Sequence, residues 1–136
     1  KKVQAQKEEW RHKGHGEYRE IVDQRQFFDE LKESKRAVVH FYRPATWRCE
    51  IIDRHLYALA PKHLETKFVK VNAEKFPFIV ERLRVWMLPT LVLVKEGKTE
   101  HSIIGFDELG GSDDFPTEKL EEALLAHGLV LESFCG

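Results

Sequence analysis

Sulfur is scarce in this chain. Only Cys49 and Cys135 occur in 136 residues, too sparse a set for the disulfide framework of a small secreted scaffold, and a reducing cytosol is the simpler expectation. Long apolar runs are missing as well. Leu91-Val-Leu-Val94 is strand-sized, and no run approaches the ~20 residues that cross a bilayer, so no membrane span is expected. No sign of charge prevails: 22 basic against 23 acidic residues leave a formal net charge of −1, which argues against general attraction to nucleic acid or an anionic membrane surface. Internal repeats and low-complexity stretches are absent. The first residue is Lys1, not methionine, and no charged-then-apolar leader follows it, so the chain is expected to be a piece of a longer protein.

What is present is the material of one globular domain. Hydrophobic residues make up 42% and charged residues 33%, and a chain of this length buries about two thirds of its unfolded surface around a single core. Residues 1–16 read as the exposed end of a longer helix, charged and Gln-rich with Trp10 as an exception, stopped by Gly14 and Gly16. Residues 17–128 read as the domain, and 129–136 as a C-terminal tail.

Within the domain, Tyr18 to Val22 alternates enough for a short strand. Asp23 and Gln26 form a capping-box pattern opening a helix through Glu33, with Phe27, Phe28 and Leu31 as its buried stripe. Ala37-Val-Val-His-Phe-Tyr42 suits a central strand covered on both faces. Ile51, Ile52, Leu56, Leu59 and Leu64 recur at helical spacing, with Pro61 expected to interrupt that helix. Phe68 to Val71 reads as a strand. Pro77 sits at the first position of a helix carrying Phe78, Ile79, Val80 and Leu83. Thr90 to Lys95 and Thr99 to Ile104 flank a turn at Glu96-Gly97-Lys98, and a last helix runs from Thr117 to about His127. The order predicts an α/β fold with a central mixed sheet, a C-terminal antiparallel hairpin and helices on both faces.

Several chemical motifs fail. Gly97-Lys98-Thr99 echoes the end of a phosphate-binding loop, but Val92 stands where its first glycine belongs. His12 and His15 lack partners at zinc-type spacing and are read as solvent-exposed or cap-bonded, so no metal and no cofactor is expected. No nucleophile elbow or paired-carboxylate motif stands out.

Element order and local strings together resemble the thioredoxin family over residues 18 to 128. The strings are Val38-Val-His-Phe-Tyr42, a cysteine at the head of the following helix, Leu88-Pro89-Thr90, and Leu91-Val-Leu-Val-Lys-Glu-Gly97 before Gly105. The resemblance implies a thioredoxin-like fold and a cis bond at Leu88–Pro89. A closer resemblance is to the phosducin-like group, carried by Gly14 to Ile21, Cys49 to Leu56, His63 to Phe68, and Gly105 to Phe115. Its members are described as cytosolic co-chaperones that contact the ring chaperonin folding actin and tubulin. The resemblance therefore implies a cytoplasmic protein, with the nucleus as a second compartment, whose partners are the chaperonin or its cytoskeletal clients. An adaptor role toward G-protein βγ subunits is a weaker implication.

Dithiol exchange needs cysteines at i and i+3 at a helix N-terminus, one to attack and one to resolve. Aligned with the thioredoxin pattern, Thr46 stands where the attacking cysteine belongs and Cys49 at the resolving position. His40 takes the place of the buried carboxylate that assists proton transfer. The expectation is a non-catalytic interaction domain. Cys49 keeps two readings: a monothiol redox centre favoured by the helix dipole and Arg48, or a semi-buried small apolar residue. Trp47, Trp86, Met87, Leu88 and Pro89 are the candidate protein-binding residues, since the groove beside a cis proline holds extended peptide and can outlive the cysteines. The alternative for these side chains is inward packing. The charges at Glu8, Glu9, Arg11 and Lys13 and at Asp107, Glu108, Asp113 and Asp114 are read as solvated surfaces that could also meet a partner.

Overall fold

The computed structural model describes residues 2–131, so Cys135 and the last five residues of the expected tail lie outside the described residues. In chain order the elements are α1 (Lys2–His12), β1 (Tyr18–Glu20), α2 (Phe27–Lys32), β2 (Arg36–Tyr42), α3 (Arg48–Leu59), β3 (Lys67–Asn72), α4 (Pro77–Arg82), β4 (Thr90–Lys95), β5 (Lys98–Ile104) and α5 (Thr117–Ala126). One sheet runs in the order β1-β3-β2-β4-β5. Its first three strands are parallel, and β4 and β5 run antiparallel.

Period-two alternation divides the core between the two faces. Val38, Phe68, Leu91 and Leu93 pack under α3 and α5, while Val39, Phe41, Val69, Val71, Val92 and Val94 pack with residues of α2 and α4. Central strands covered on both sides must be apolar at every position, which explains the near-continuous run at Val38 to Phe41. α3 stops at Leu59, two residues before Pro61, and Leu64 lies in the following turn, outside the helix.

Three local expectations need correction. The capping box at Asp23 does not form: its carboxylate accepts from the Arg25 N–H at 2.9 Å, and the Gln26 N–H donates to the Asp23 carbonyl. The first turn is therefore a tight 3-10 turn over Gln24–Gln26. Phe28 is 40% exposed, not part of a buried stripe. In α4 only Ile79 is buried, and Phe78 is 58% exposed. That helix lasts six residues because Arg84 turns left-handed (φ 57) and the Val85 N–H closes back on the Val80 carbonyl.

Both ends of the domain extend beyond the expected boundaries. His15 is buried, not exposed. Its imidazole bridges the Leu64 carbonyl at 2.6 Å and the Ser34 hydroxyl at 2.7 Å. Lys67, also buried, donates to the Lys13 carbonyl at 2.8 Å and so pins the end of α1 to the sheet. At the other end Gly128 (φ 75) reverses the chain, and Leu129 and Val130 enter the core instead of beginning a tail. Thr66 donates to the Leu129 carbonyl and the Leu131 N–H to the Glu65 carboxylate.

The β4–β5 hairpin turns on two residues, Glu96 and Gly97, both at positive φ (51 and 80), the type I′ geometry that Asn-Gly adopts most readily. Glu96→Asn is expected to raise stability by about 1 kcal/mol, since a left-handed glutamate is strained and an asparagine is not. A thermal melt with Tm unchanged or lowered would contradict this.

Candidate functional site

The site is built where β2 gives way to α3. After Tyr42 the chain turns through Arg43 to Thr46, whose N–H donates to the Arg43 carbonyl at 3.0 Å. The Thr46 hydroxyl accepts from Arg43 Nε at 3.1 Å. Arg43 therefore faces the position where a nucleophile would sit, and an arginine cannot serve as the base a hydroxyl needs. Cys49 lies beneath, 2% exposed, at the second residue of α3.

Burial pushes the Cys49 thiol up. A hydrogen bond with the Arg43 backbone opposes this, and the Asp53 charge adds to it. Arg48, the cation expected to favour a thiolate, turns away: its guanidinium lies 4.8 Å from the Trp47 ring centre and its Nε reaches Asp113 at 2.9 Å. A buried thiol with a raised pKa reacts slowly because the thiolate is the nucleophile. In a Cys135→Ser background, Cys49 is expected to alkylate more than about tenfold slower than a free small-molecule thiol at neutral pH. Labelling at or above the free-thiol rate would restore the monothiol reading.

A polar network that sequence reasoning missed lies behind the sulfur. His40 is fully buried. Its Nδ1 is 2.8 Å from the Tyr18 hydroxyl and 3.1 Å from Asp53 Oδ1, while Tyr18 donates to the same Asp53 oxygen at 2.6 Å. Lys70 Nζ stands 3.6 Å from Asp53 Oδ2 and 5.3 to 5.6 Å from the ring centres of Tyr18, Tyr42 and Tyr57. A carboxylate thus reaches this region from α3, although the strand position expected to carry one holds a histidine. Burial holds the His40 imidazole below its ordinary range, against the pull of Asp53, so it is neutral. Its Nε2 has no partner among the described residues, which places the single ring proton on Nδ1, facing the acceptors. Burial opposes the Asp53 charge, but the hydrogen bonds from His40 and Tyr18, with Lys70 nearby, outweigh it and hold the carboxyl below its usual range. Two signals were available: Cys49 and Asp53 share a helix face at i and i+4, and Lys70 interrupts the apolar run from Phe68 to Val71.

The groove lies on the other side of Thr46. The Leu88–Pro89 peptide is cis. Trp86 is 74% and Met87 43% exposed; Leu88 is half-buried and Pro89 buried beneath it. With Arg43, Thr46 and Val85, the side chains of Trp86, Met87 and Leu88 line a depression of about 260 Å³. Met87 lies over Gly105, where an added Cβ would come 3.0 Å from the methionine methyl. Pro89 and Thr90 fix the wall, through the Gly105 N–H to the Pro89 carbonyl and the Thr90 hydroxyl to the Met87 carbonyl. Leu88 makes no backbone hydrogen bond among the described residues outside helices and strands. Trp47, 56% exposed, is not among the residues lining this depression. The structure therefore brings Thr46, Trp86, Met87 and Leu88 together and sets Trp47 apart.

Comparison with known proteins agrees with this architecture. Thioredoxin f from spinach chloroplast superposes with a TM-score of 0.69 at 20% identity, over 83% of this chain and 88% of that one. A thioredoxin variant from Halobacterium salinarum gives 0.71 at 16% identity, over 85% and 95%. Among curated sequences, thioredoxin domain-containing protein 9 of Mus musculus is 60% identical over 89% of this chain and 54% of its own length. Phosducin-like protein 3 of Drosophila melanogaster is 49% identical over 96% and 60%. The chain thus spans a little over half the length of these relatives. The thioredoxin family pattern matches residues 19–111. With the parallel-antiparallel sheet, the helix at the end of β2 and these matches in hand, the chain belongs to the thioredoxin family, as a phosducin-like member of it.

Proposed function

We propose that this chain is the non-catalytic recognition domain of a phosducin-like co-chaperone, which binds the cytosolic chaperonin or its actin and tubulin clients and modulates their folding in the cytoplasm. The observation that carries the reading is the contrast at one site: the sulfur is buried with a raised pKa, while Trp86 and Met87 beside the proline stand in solvent. A relay that passes electrons needs an accessible thiolate. A surface that recognises protein needs exposed aromatic and flexible apolar side chains, with backbone groups left for an extended segment to pair with. Family membership supports the choice of partner, and the groove supports the mode of binding.

The full-length protein, immobilised and exposed to purified cytosolic chaperonin, is expected to retain it. No retention would refute the choice of partner. An insulin-reduction assay with a thiol donor separates the competing redox reading, since sustained turnover would require Cys49 to act as a nucleophile.

A further inference from the structure

Away from the groove, three side chains with metal-ligand chemistry meet from three separate elements. His101 lies in the middle of β5, opposite Leu93. Glu108 lies in the 3-10 turn Asp107–Leu109, and His127 caps the C-terminus of α5. His101 Nε2 is 2.7 Å from one Glu108 carboxylate oxygen and His127 Nε2 is 3.1 Å from the other. Each of the three offers a donor atom within 4.8 Å of the others. The two imidazoles stack with centroids 4.0 Å apart and planes 17° from parallel, so both Nε2 atoms face the same carboxylate.

We propose that His101, Glu108 and His127 form a binding site for a divalent transition cation, with Zn²⁺ as the best-matched ion. Two imidazoles and one carboxylate are an established zinc donor set, and ligand atoms bound at about 2.0–2.1 Å in tetrahedral geometry lie about 3.3 Å apart, near the 2.7 and 3.1 Å nitrogen–oxygen separations already present. To share one ion the stacked rings turn about their side-chain bonds until both Nε2 lone pairs converge, a motion that their partial exposure permits.

The donors stand on anchored backbone. Leu109 and Leu124 are fully buried beside Glu108 and His127. The Gly111 N–H closes the 3-10 turn on the Phe106 carbonyl at 2.8 Å. Side-chain exposures of 36%, 38% and 30% leave a path for the ion. Three protein donors also leave a fourth position for water or for a group from a bound partner. Without the ion each ring donates Nε2–H to the carboxylate; on binding, each Nε2 lone pair turns to the metal and the ring proton resides on Nδ1. A tautomer exchange of this kind releases no net proton.

The spacing of residues 101, 108 and 127 matches no linear zinc motif, so the sequence pattern carried no sign of the site. The test is calorimetric titration of ZnCl₂ into this chain at pH 7.5, in the Cys135→Ser background to remove the thiol near the terminus. One saturable equivalent is expected. His101→Gln, Glu108→Gln and His127→Gln should each weaken binding by at least about tenfold while keeping the melting temperature of the metal-free protein, since an amide can replace the hydrogen bond but not the donor. Co²⁺ should give a visible spectrum free of a thiolate charge-transfer band. Titrations without a saturable step, or variants that bind as the parent does, would overturn the assignment.

Discussion

Trp86→Ala in the full-length protein should weaken its binding to the purified chaperonin by about thirtyfold, roughly 2 kcal/mol, the scale of an aromatic anchor removed from an interface. The tryptophan is 74% exposed, so its loss should change folding stability by less than about 0.5 kcal/mol. The two readouts therefore separate. Met87→Ala should have the same sign with a smaller effect, because a flexible thioether adapts to a partner without anchoring it. Trp47→Ala, outside the lining of the depression, is the informative control. Surface plasmon resonance against immobilised chaperonin gives the comparison, and an unchanged dissociation constant for Trp86→Ala would place the interface on another face.

Asp53→Ala should cost about 3 kcal/mol, the scale for removing one partner of a buried charged network. It deprives the Tyr18 hydroxyl and the His40 ring N–H of their shared acceptor and Lys70 of its counter-charge. For a chain of this length the melting temperature should fall by roughly 10 °C. The cost should also depend on pH. The folded pKa of Asp53 is depressed, so its contribution is complete above the unfolded value near 4 and lost as pH falls through the lower folded value. The gap between parent and variant in urea midpoint should therefore close at low pH.

The histidines add their own slopes. His15 and His40 have lowered pKa values, chiefly from burial, so both parent and variant should lose stability as pH falls below about 6.5. His63 is displaced the other way: burial opposes its charge, but Glu65 and Glu121 raise its pKa. Its contribution is complete below about 6.5 and fades as pH rises through the folded value. A gap that stayed constant from pH 7 to pH 3 would show that Asp53 acts through packing alone.

Much of the fold could be read from the chain because the relevant forces are local. β-branched and aromatic runs gave the central strands, Pro61 ended α3, and a short polar turn joined the last two strands. Where the reading failed, neighbours outvoted local preference. Phe28, read as part of a buried stripe, stands 40% exposed. Leu129 and Val130 look like a tail until Gly128 turns them under α5. The candidate site divides in the same way: Thr46, Cys49 and the strip from Trp86 to Pro89 were visible as deviations from a known pattern, whereas the partners of His40 were not.

By itself, the sequence determined that one sulfur and not a pair stands at the head of α3, that the sheet is mixed, and that two glycines end the first helix. Composition, periodicity and positive-φ residues act within a few positions of one another, so they survive in a linear string. Only the tertiary structure decided that the sulfur is sealed while Trp86 faces water, that Asp53 reaches His40, that His15 and Lys67 secure α1, and that His101, Glu108 and His127 share one corner. Each of these depends on distances across the fold between residues separated along the chain, and such distances are set by packing and not by spacing.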